Sequence, residues 1–143
     1  MGDLSRNFST HEFNCRCCGR AEINPNLVDA LQELRDLAAA AVRITSGYRC
    51  PEHNRAVGGA KRSQHLLGNA ADIVIDGLTV AETYELAEQV PAFRNGGIGV
   101  YPEQRFVHVD VRDGRARWGR LKGRYVTLEK ALKTTGGEEH ATA

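Results

Sequence analysis

The sequence predicts an α+β fold, in which helices and antiparallel strands share one hydrophobic core. Helical and strand-like hydrophobic patterns alternate along the chain without the regular strand–helix–strand units of a parallel sheet. Two strand-like segments, 95–101 and 105–112, are separated only by a short turn, as in an antiparallel hairpin. The length of 143 residues suits one domain that can build a core without disulfide staples.

The N-terminal half predicts a short helical turn, two helices and a strand. Ser9 and Glu12 have the spacing of a capping box at the start of a short helical turn. The strongest helical pattern begins at Pro25, after which apolar residues recur mostly at steps of three and four. Alternation then predicts a strand over 42–45, and a short helix over 51–57 ends before a pair of glycines.

The central segment places polar side chains beside the predicted core. Residues 60–69 are expected to form a loop that brings His65 to the surface of the core. A strand over 71–75 directs alternate apolar side chains to one face and Asp72 to the other. Histidine and carboxylate side chains can therefore meet at this end of the strand.

The C-terminal half adds two helices and a tail. Thr79 and Glu82 form a second capping box, and the helix that follows is expected to end near residue 89. A last short helix covers 127–133. Residues 136–143 are expected to form a disordered tail, which leaves 1–135 as the single domain.

Charge and hydropathy exclude several classes of partner. Nineteen basic and eighteen acidic side chains give a net charge of +1, which argues against a nucleic-acid binder. No apolar run approaches the roughly 20 residues that span a bilayer, and the N-terminus lacks the pattern of a signal peptide. We therefore expect a chain that is made in the cytoplasm, and a substrate outside the cell would require another factor to release the protein. We also expect a monomer.

The cysteines suggest a structural cluster. They are Cys15, Cys17, Cys18 and Cys50. Three thiols within four residues make a poor disulfide framework. The C-x-x-C spacing of Cys15 and Cys18 allows a second, structural metal ion, and reduced thiols in a small apolar cluster are the alternative. A catalytic thiol is disfavoured, because no feature couples a cysteine to a histidine base.

Two short segments carry the side chains of a candidate zinc site. His65 and Asp72 belong to the first segment, and His108 and Asp110 belong to the second. Imidazole and carboxylate groups are the ligands of catalytic zinc, which keeps one position open for water. His108 and Asp110 are two apart on a predicted strand and so point to the same side. The alternative is a structural histidine and an aspartate that caps a turn.

These residues also carry a family resemblance. The pattern Ser63-x-His65-x-x-Gly68-x-Ala70-x-Asp72 resembles the zinc signature of the zinc D-alanyl-D-alanine carboxypeptidase and murein endopeptidase family. Segments 44–54, 58–65, 96–102 and 106–112, with Arg117-Trp118, resemble the branch often encoded by phages and prophages. The resemblance covers about residues 8–118 in one continuous order. It implies the hedgehog/DD-peptidase-like fold, a central antiparallel sheet flanked by helices.

The resemblance implies a zinc ion held by His65, Asp72 and His108. Some relatives have a second histidine two positions after the first, and others have an acidic base three positions before the ligand. This chain has Asp110 and Arg105 at those places. Asp110 is therefore the candidate general base, and a partner that orients a ligand is its alternative role.

Two further residues are candidates for substrate binding. Arg49 corresponds to an arginine that the family uses near the substrate, where a guanidinium can bind a carboxylate or the developing oxyanion. A surface ion pair is the alternative for Arg49. Ser63 would hydrogen-bond the substrate or shape its loop.

The resemblance implies a zinc-dependent hydrolase of bacterial peptidoglycan that acts on the cell wall as an endolysin does. It would cleave a peptide bond involving a D-amino acid, either as a D-Ala-D-Ala carboxypeptidase or as a murein endopeptidase. The alternative is a catalytically inactive, zinc-stabilised module that binds the cell wall or another protein.

Overall fold

The computed structural model describes residues 2–134, so the tail expected at 136–143 lies outside the described residues. The helices are α1 Pro25–Ala38, α2 Pro51–Ala56, α3 Val80–Ala87, α4 Pro91–Arg94 and α5 Leu128–Lys133. The strands are β1 Val42–Ser46, β2 Ala70–Ile75, β3 Gly97–Tyr101, β4 Phe106–Asp110, β5 Ala116–Leu121 and β6 Arg124–Val126. Two short 3₁₀ helices cover Thr10–Phe13 and Gln64–Leu67.

The strands form a single sheet in the order β1-β2-β4-β3-β5-β6. Neighbouring strands are antiparallel except for β3 and β5, which run parallel. The α+β class and the hairpin of β3 and β4 are thus confirmed. The parallel pair arises because the chain leaves β4, turns, and returns on the other side of β3.

Capping interactions begin the helices where the sequence predicts them. The side chain of Asn24 accepts a hydrogen bond from the backbone N of Asn26 at the start of α1. At the start of α3, the Thr79 and Glu82 side chains each accept a hydrogen bond from the other residue's backbone N. No helix within residues 2–134 combines the length and the apolar character needed to cross a bilayer.

The core lies between the helices and one face of the sheet. Alternate side chains of the three central strands are fully buried there: Ala71, Ile73, Ile75, Ile98, Val100, Val107 and Val109. Leu27, Leu31 and Leu34 line the inner face of α1 at helical spacing and are also fully buried. Because side chains alternate along a strand, the residues between these apolar ones point to the opposite face.

The sequence analysis does not predict β5, β6 or α4. The strand β5 reads Ala-Arg-Trp-Gly-Arg-Leu, in which arginines interrupt the apolar alternation that would indicate a strand. Most of its residues are only half-buried, since it lies near the edge of the sheet. Segment 60–69, expected to be a loop, contains the second 3₁₀ helix.

Candidate metal centre

Strand register aligns polar side chains in one row across the outer face of the sheet. Ser46 of β1 pairs with Asp72 of β2, and Asp72 pairs with His108 of β4. On the other side of His108 lies Gly99 of β3, which in turn pairs with Trp118 of β5. The pairing of β2 with β4, which the sequence alone does not prove, thus places Asp72 directly beside His108.

His65 reaches the same place from the second 3₁₀ helix. The Oγ of Ser63 accepts a hydrogen bond from the backbone N of His65 at 3.2 Å and caps this short helix. Nδ1 of His65 is 2.6 Å from the carbonyl oxygen of Gly47, which can only accept a hydrogen bond. Nδ1 therefore carries the proton, and the lone pair of Nε2 is available to a metal.

Three side chains from three different elements converge at this point. One ligand-type atom from each of His65, Asp72 and His108 lies within 4.8 Å of the other two. Nε2 of His65 is 3.1 Å from Oδ1 of Asp72, and Nδ1 of His108 is 3.2 Å from the same oxygen. All three residues are buried.

The centre lies in the wall of a cavity of about 810 Å³. Aromatic side chains form part of this wall: Tyr101, Phe106, Trp118 and Tyr125. Trp118 lies over Gly99, where a Cβ atom would approach the indole ring to 2.5 Å. The rings of Trp118 and His108 have centroids 5.0 Å apart. The sequence analysis does not identify this aromatic wall. The packing of Trp118 on Gly99 depends on the pairing of β5 with β3, which the sequence alone does not reveal.

Asp110 contacts His108 on the side away from Asp72. Its Oδ2 lies 2.6 Å from Nε2 of His108. The carboxylate also accepts hydrogen bonds from the backbone N of Gly97 at 2.9 Å and from the guanidinium of Arg112 at 2.7 and 2.9 Å. Asp110 is fully buried and is not among the residues that line the cavity. The structure thus places Asp110 beside His108 and away from the cavity, and its role, general base or partner that orients a ligand, stays a prediction.

The hydrogen-bond pattern supports a cation at this centre. Because Asp110 accepts from Nε2–H of His108, the lone pair of Nδ1 faces Asp72, as does that of Nε2 in His65. Three electron-rich atoms at this spacing repel one another unless a proton or a cation lies between them. Two imidazoles and a carboxylate match the three protein ligands of a catalytic zinc ion, so the residues fit zinc.

The charges of the buried groups agree with this assignment. Burial disfavours the ionised form of Asp72, but in the metal-free centre the protonated forms of His65 and His108 outweigh it and hold the pKa of Asp72 well below its usual range. Burial also opposes ionisation of Asp110, yet hydrogen bonds from His108 and Arg112 lower the pKa of Asp110. Both carboxylates are therefore negative at neutral pH, as a site for a divalent cation requires.

Arg49 and Ser63, the two predicted substrate-binding residues, both line the cavity. A terminal nitrogen of Arg49 is 3.2 Å from Oδ2 of Asp72, and its Nε donates to Oγ of Ser46. The Arg49 side chain is only 15% exposed, so it is not the surface ion pair that was its alternative. The hydroxyl of Ser63 shapes the loop of His65, and its contact with a substrate stays a prediction.

Two other polar residues lie near the centre or in the turn that precedes β4. His53 of α2 lines the cavity. Arg105 lies in the turn between β3 and β4 with a φ of 62° and is not among the lining residues. Among residues 2–134, the carboxylate that lines the cavity is that of Asp72.

Comparison with known proteins adds the following findings. The family model described as Peptidase M15 matches residues 6–110. The peptidoglycan L,D-endopeptidase MepK of Escherichia coli K12 is 36% identical over 100 residues, which are 65% of this chain and 53% of that protein. The probable peptidoglycan L,D-endopeptidase MepK of Haemophilus influenzae is 33% identical over 98 residues, 63% of this chain and 51% of that protein.

The chain spans about half the length of the curated relatives it matches. Among solved structures, the L-Ala D-Glu endopeptidase ChiX of Serratia marcescens has a TM-score of 0.46 and 16% sequence identity. That match covers 64% of this chain and 81% of ChiX.

Proposed function

Because the chain belongs to the peptidase M15 family, we propose that it is a zinc-dependent hydrolase of peptidoglycan. The bond it cleaves involves a D-amino acid of the stem peptide or of a cross-link. The observation that carries the proposal is the convergence of His65, Asp72 and His108 in the wall of an open cavity. The curated relatives are named L,D-endopeptidases, which favours internal cleavage over removal of a terminal D-alanine.

The proposed ligands are His65 through Nε2, His108 through Nδ1, and the carboxylate of Asp72. When bound, zinc supplies a Lewis acid that polarises the scissile carbonyl and lowers the pKa of a coordinated water to about 7. The carbonyl of Gly47 and the carboxylate of Asp110 hold the protons on the other ring nitrogens, so each imidazole keeps its lone pair directed at the centre.

Arg49 is proposed to bind the oxygen on which negative charge develops, or a carboxylate of the substrate. Its guanidinium lies at the cavity wall, beside the carboxylate of Asp72. It is tethered by Ser46 and by Asn54, whose Oδ1 accepts from it at 3.3 Å. A donor that is fixed before the substrate arrives stabilises developing charge without reorganising at the moment of reaction. Ser63 is proposed as a second polar contact on the same wall.

We propose that the protein acts on the bacterial cell wall. It would act there as an endolysin-like protein that is encoded by a phage or prophage. We also propose that residues 1–135 form a single zinc-peptidase domain and that the protein acts as a monomer. The competing function is a zinc-stabilised module that binds peptidoglycan without cleaving it.

Purified peptidoglycan distinguishes these functions. We expect stem-peptide fragments with new amino termini, detected by mass spectrometry, that disappear with a chelator and return with added zinc. The variant His65→Ala should release no fragments, and the exposed His11→Ala should match the wild type. Release of free D-alanine alone would identify the carboxypeptidase. Zinc binding without any product would identify the binding module and overturn the proposed hydrolase.

A further inference from the structure

A second cluster of metal-binding side chains lies outside the histidine centre, where the N-terminal segment meets the segment after β1. The Sγ atoms of Cys15, Cys18 and Cys50 all lie within 4.8 Å of one another, and none of the four cysteines forms a disulfide. Cys15 and Cys50 are buried, whereas Cys17 and Cys18 are exposed. The thiol of Cys17 also interacts with that of Cys50.

The backbone around these thiols is arranged to stabilise negatively charged sulfur. The backbone N of Cys50 donates to Sγ of Cys15 at 3.4 Å, and the backbone N of His53 donates to Sγ of Cys50 at 3.4 Å. Backbone N–H groups thus point at the sulfurs of both buried cysteines. Thiolates, not thiols, are the metal ligands.

A tight turn brings Cys18 back to Cys15. The backbone N of Gly19 donates to the carbonyl of Cys15 at 2.9 Å, and the N of Cys15 donates to the carbonyl of Arg20 at 2.7 Å. Gly19 has a φ of 75°, a left-handed conformation that glycine adopts without strain. A C-x-x-C pair on such a turn, together with a cysteine from a distant segment, supplies three of the four ligands of a closed structural zinc site.

We propose that Cys15, Cys18 and Cys50 bind a second metal ion that prefers thiolate ligands, with Cys17 as the fourth ligand. A tetrahedral ion with metal–sulfur distances of about 2.3 Å places its sulfurs about 3.8 Å apart, so small side-chain rotations would close the site. The proposal is independent of the proposed function, because none of these thiols belongs to the histidine centre.

Such an ion would secure the segment that carries Arg49. Cys50 follows Arg49 directly, and the backbone N of Arg49 donates to the carbonyl of His65 at 3.1 Å. On the other side, the backbone N of Tyr48 donates to the carbonyl of Phe13 at 2.9 Å. The ion would tie together two segments separated by about 30 residues and would add its binding free energy to folding. Its role is therefore structural.

Cobalt reports on the sulfur ligands directly. We expect metal-free wild-type protein loaded with Co²⁺ to show intense thiolate-to-cobalt charge-transfer absorption in the near ultraviolet. The variant His65→Ala should keep this band, because the histidine centre contains no sulfur, and Cys18→Ser should lose it. Metal analysis should find two zinc ions per wild-type chain and one in each of these variants.

Several outcomes would overturn the thiol site. Absence of the charge-transfer band in wild-type protein, which requires no mutation, would do so. A disulfide would also overturn it. In that case, thiol titration of metal-free protein would miss two of the cysteines until a reductant is added. The exposed Cys17→Ser should weaken zinc affinity at this site, and an unchanged affinity would remove Cys17 as the fourth ligand. None of these results depends on hydrolysis of peptidoglycan.

Discussion

Asp72 and Asp110 are buried carboxylates on the same face of the sheet, but their hydrogen-bond partners differ. Oδ1 of Asp72 faces two imidazole nitrogens that carry lone pairs. Asp110 is surrounded by donors, from the backbone of Gly97, from Arg112 and from His108. A carboxylate that faces lone pairs can take up a cation, whereas one whose oxygens are already satisfied holds its neighbours in place.

The first prediction concerns Asp110. The change Asp110→Asn should weaken zinc affinity about 10–100-fold, because the amide no longer holds the Nε2 proton of His108 as a carboxylate does. Competition with a chromogenic chelator measures this affinity. Loss of a general base would instead leave zinc affinity unchanged and lower only kcat.

A neighbouring residue provides the control for that substitution. Asp113 is exposed in the loop after β4, so Asp113→Asn should change neither zinc affinity nor turnover. Normal zinc affinity in Asp110→Asn, together with lost turnover, would contradict the orienting role and restore Asp110 as the base.

The second prediction concerns Arg49. The change Arg49→Lys should lower kcat/KM about 10²–10³-fold while zinc content stays at the wild-type value, because an ammonium cannot reproduce the fixed geometry of the guanidinium. Steady-state kinetics on a soluble stem-peptide fragment would measure it. The control is Arg55→Lys, because Arg55 is exposed on α2 and does not line the cavity. Equal activity in both variants would exclude Arg49 from substrate binding.

At the residue scale, the sequence predicts which side chains lie close together more reliably than it predicts the role of each side chain. A spacing of two places His108 and Asp110 on one face of a strand. It does not indicate which of them points toward Asp72, since this depends on the rotamer of His108 and on the donors that surround Asp110. The donors around Asp110, which include Arg112 and Gly97, are revealed only by the fold.

At the scale of elements, the sequence predicts β1 to β4, while the order of the strands comes from the structure. Apolar alternation and the short turn at Pro102 are local signals that a window of a few residues contains. The neighbours β2 and β4 are separated by two helices and a strand, and nothing local encodes their pairing. The strand β5 is missed because its arginines hide the alternation, although it carries Trp118 to the cavity.

An ion pair between the residue that follows α3 and strand β5 leads to the third prediction. Arg117 donates to both carboxylate oxygens of Glu88, at 2.7 and 2.9 Å. The hydrogen bonds from Arg117 outweigh burial and lower the pKa of Glu88 from 4.5 to about 2. The change Glu88→Gln should lower the free energy of unfolding by about 1–2 kcal/mol at pH 7. Urea denaturation followed by circular dichroism measures this difference.

The pH dependence of this effect has a defined sign. Because the pKa of Glu88 is lower in the folded state, its stabilisation is fully present above pH 4.5 and is lost as the pH falls toward 2. The stability difference between wild type and Glu88→Gln should shrink over this range. Glu85→Gln, at an exposed position of α3, should show no such difference. A Glu88→Gln difference that stays constant from pH 6 to pH 2 would contradict the assigned pKa.

At the scale of the whole molecule, the sheet separates two functions. One face packs against the helices and supplies the hydrophobic core, while the other carries the candidate metal centre and the cavity. The residues of the centre come from β2, β4 and the second 3₁₀ helix, so they assemble only when the sheet has formed. Metal binding should therefore be coupled to folding, because the unfolded chain has no preformed site.

The fourth prediction follows from this coupling. Zinc at about 100 times its dissociation constant should stabilise the folded protein by about 2.7 kcal/mol per site. At about 2–4 °C per kcal/mol, calorimetry should find Tm raised by roughly 5–10 °C for each occupied site. Magnesium, which disfavours imidazole and thiolate ligands, is the control and should leave Tm unchanged. A zinc-independent Tm would contradict the coupling of metal binding to folding.

The most direct test of the metal centre is an anomalous difference map from crystals grown with zinc, recorded on both sides of the zinc absorption edge. We expect a peak about 2.0–2.2 Å from Nε2 of His65, Nδ1 of His108 and the carboxylate of Asp72. A map without a peak among these three side chains, or a zinc ion in the cavity held by other residues, would contradict the account.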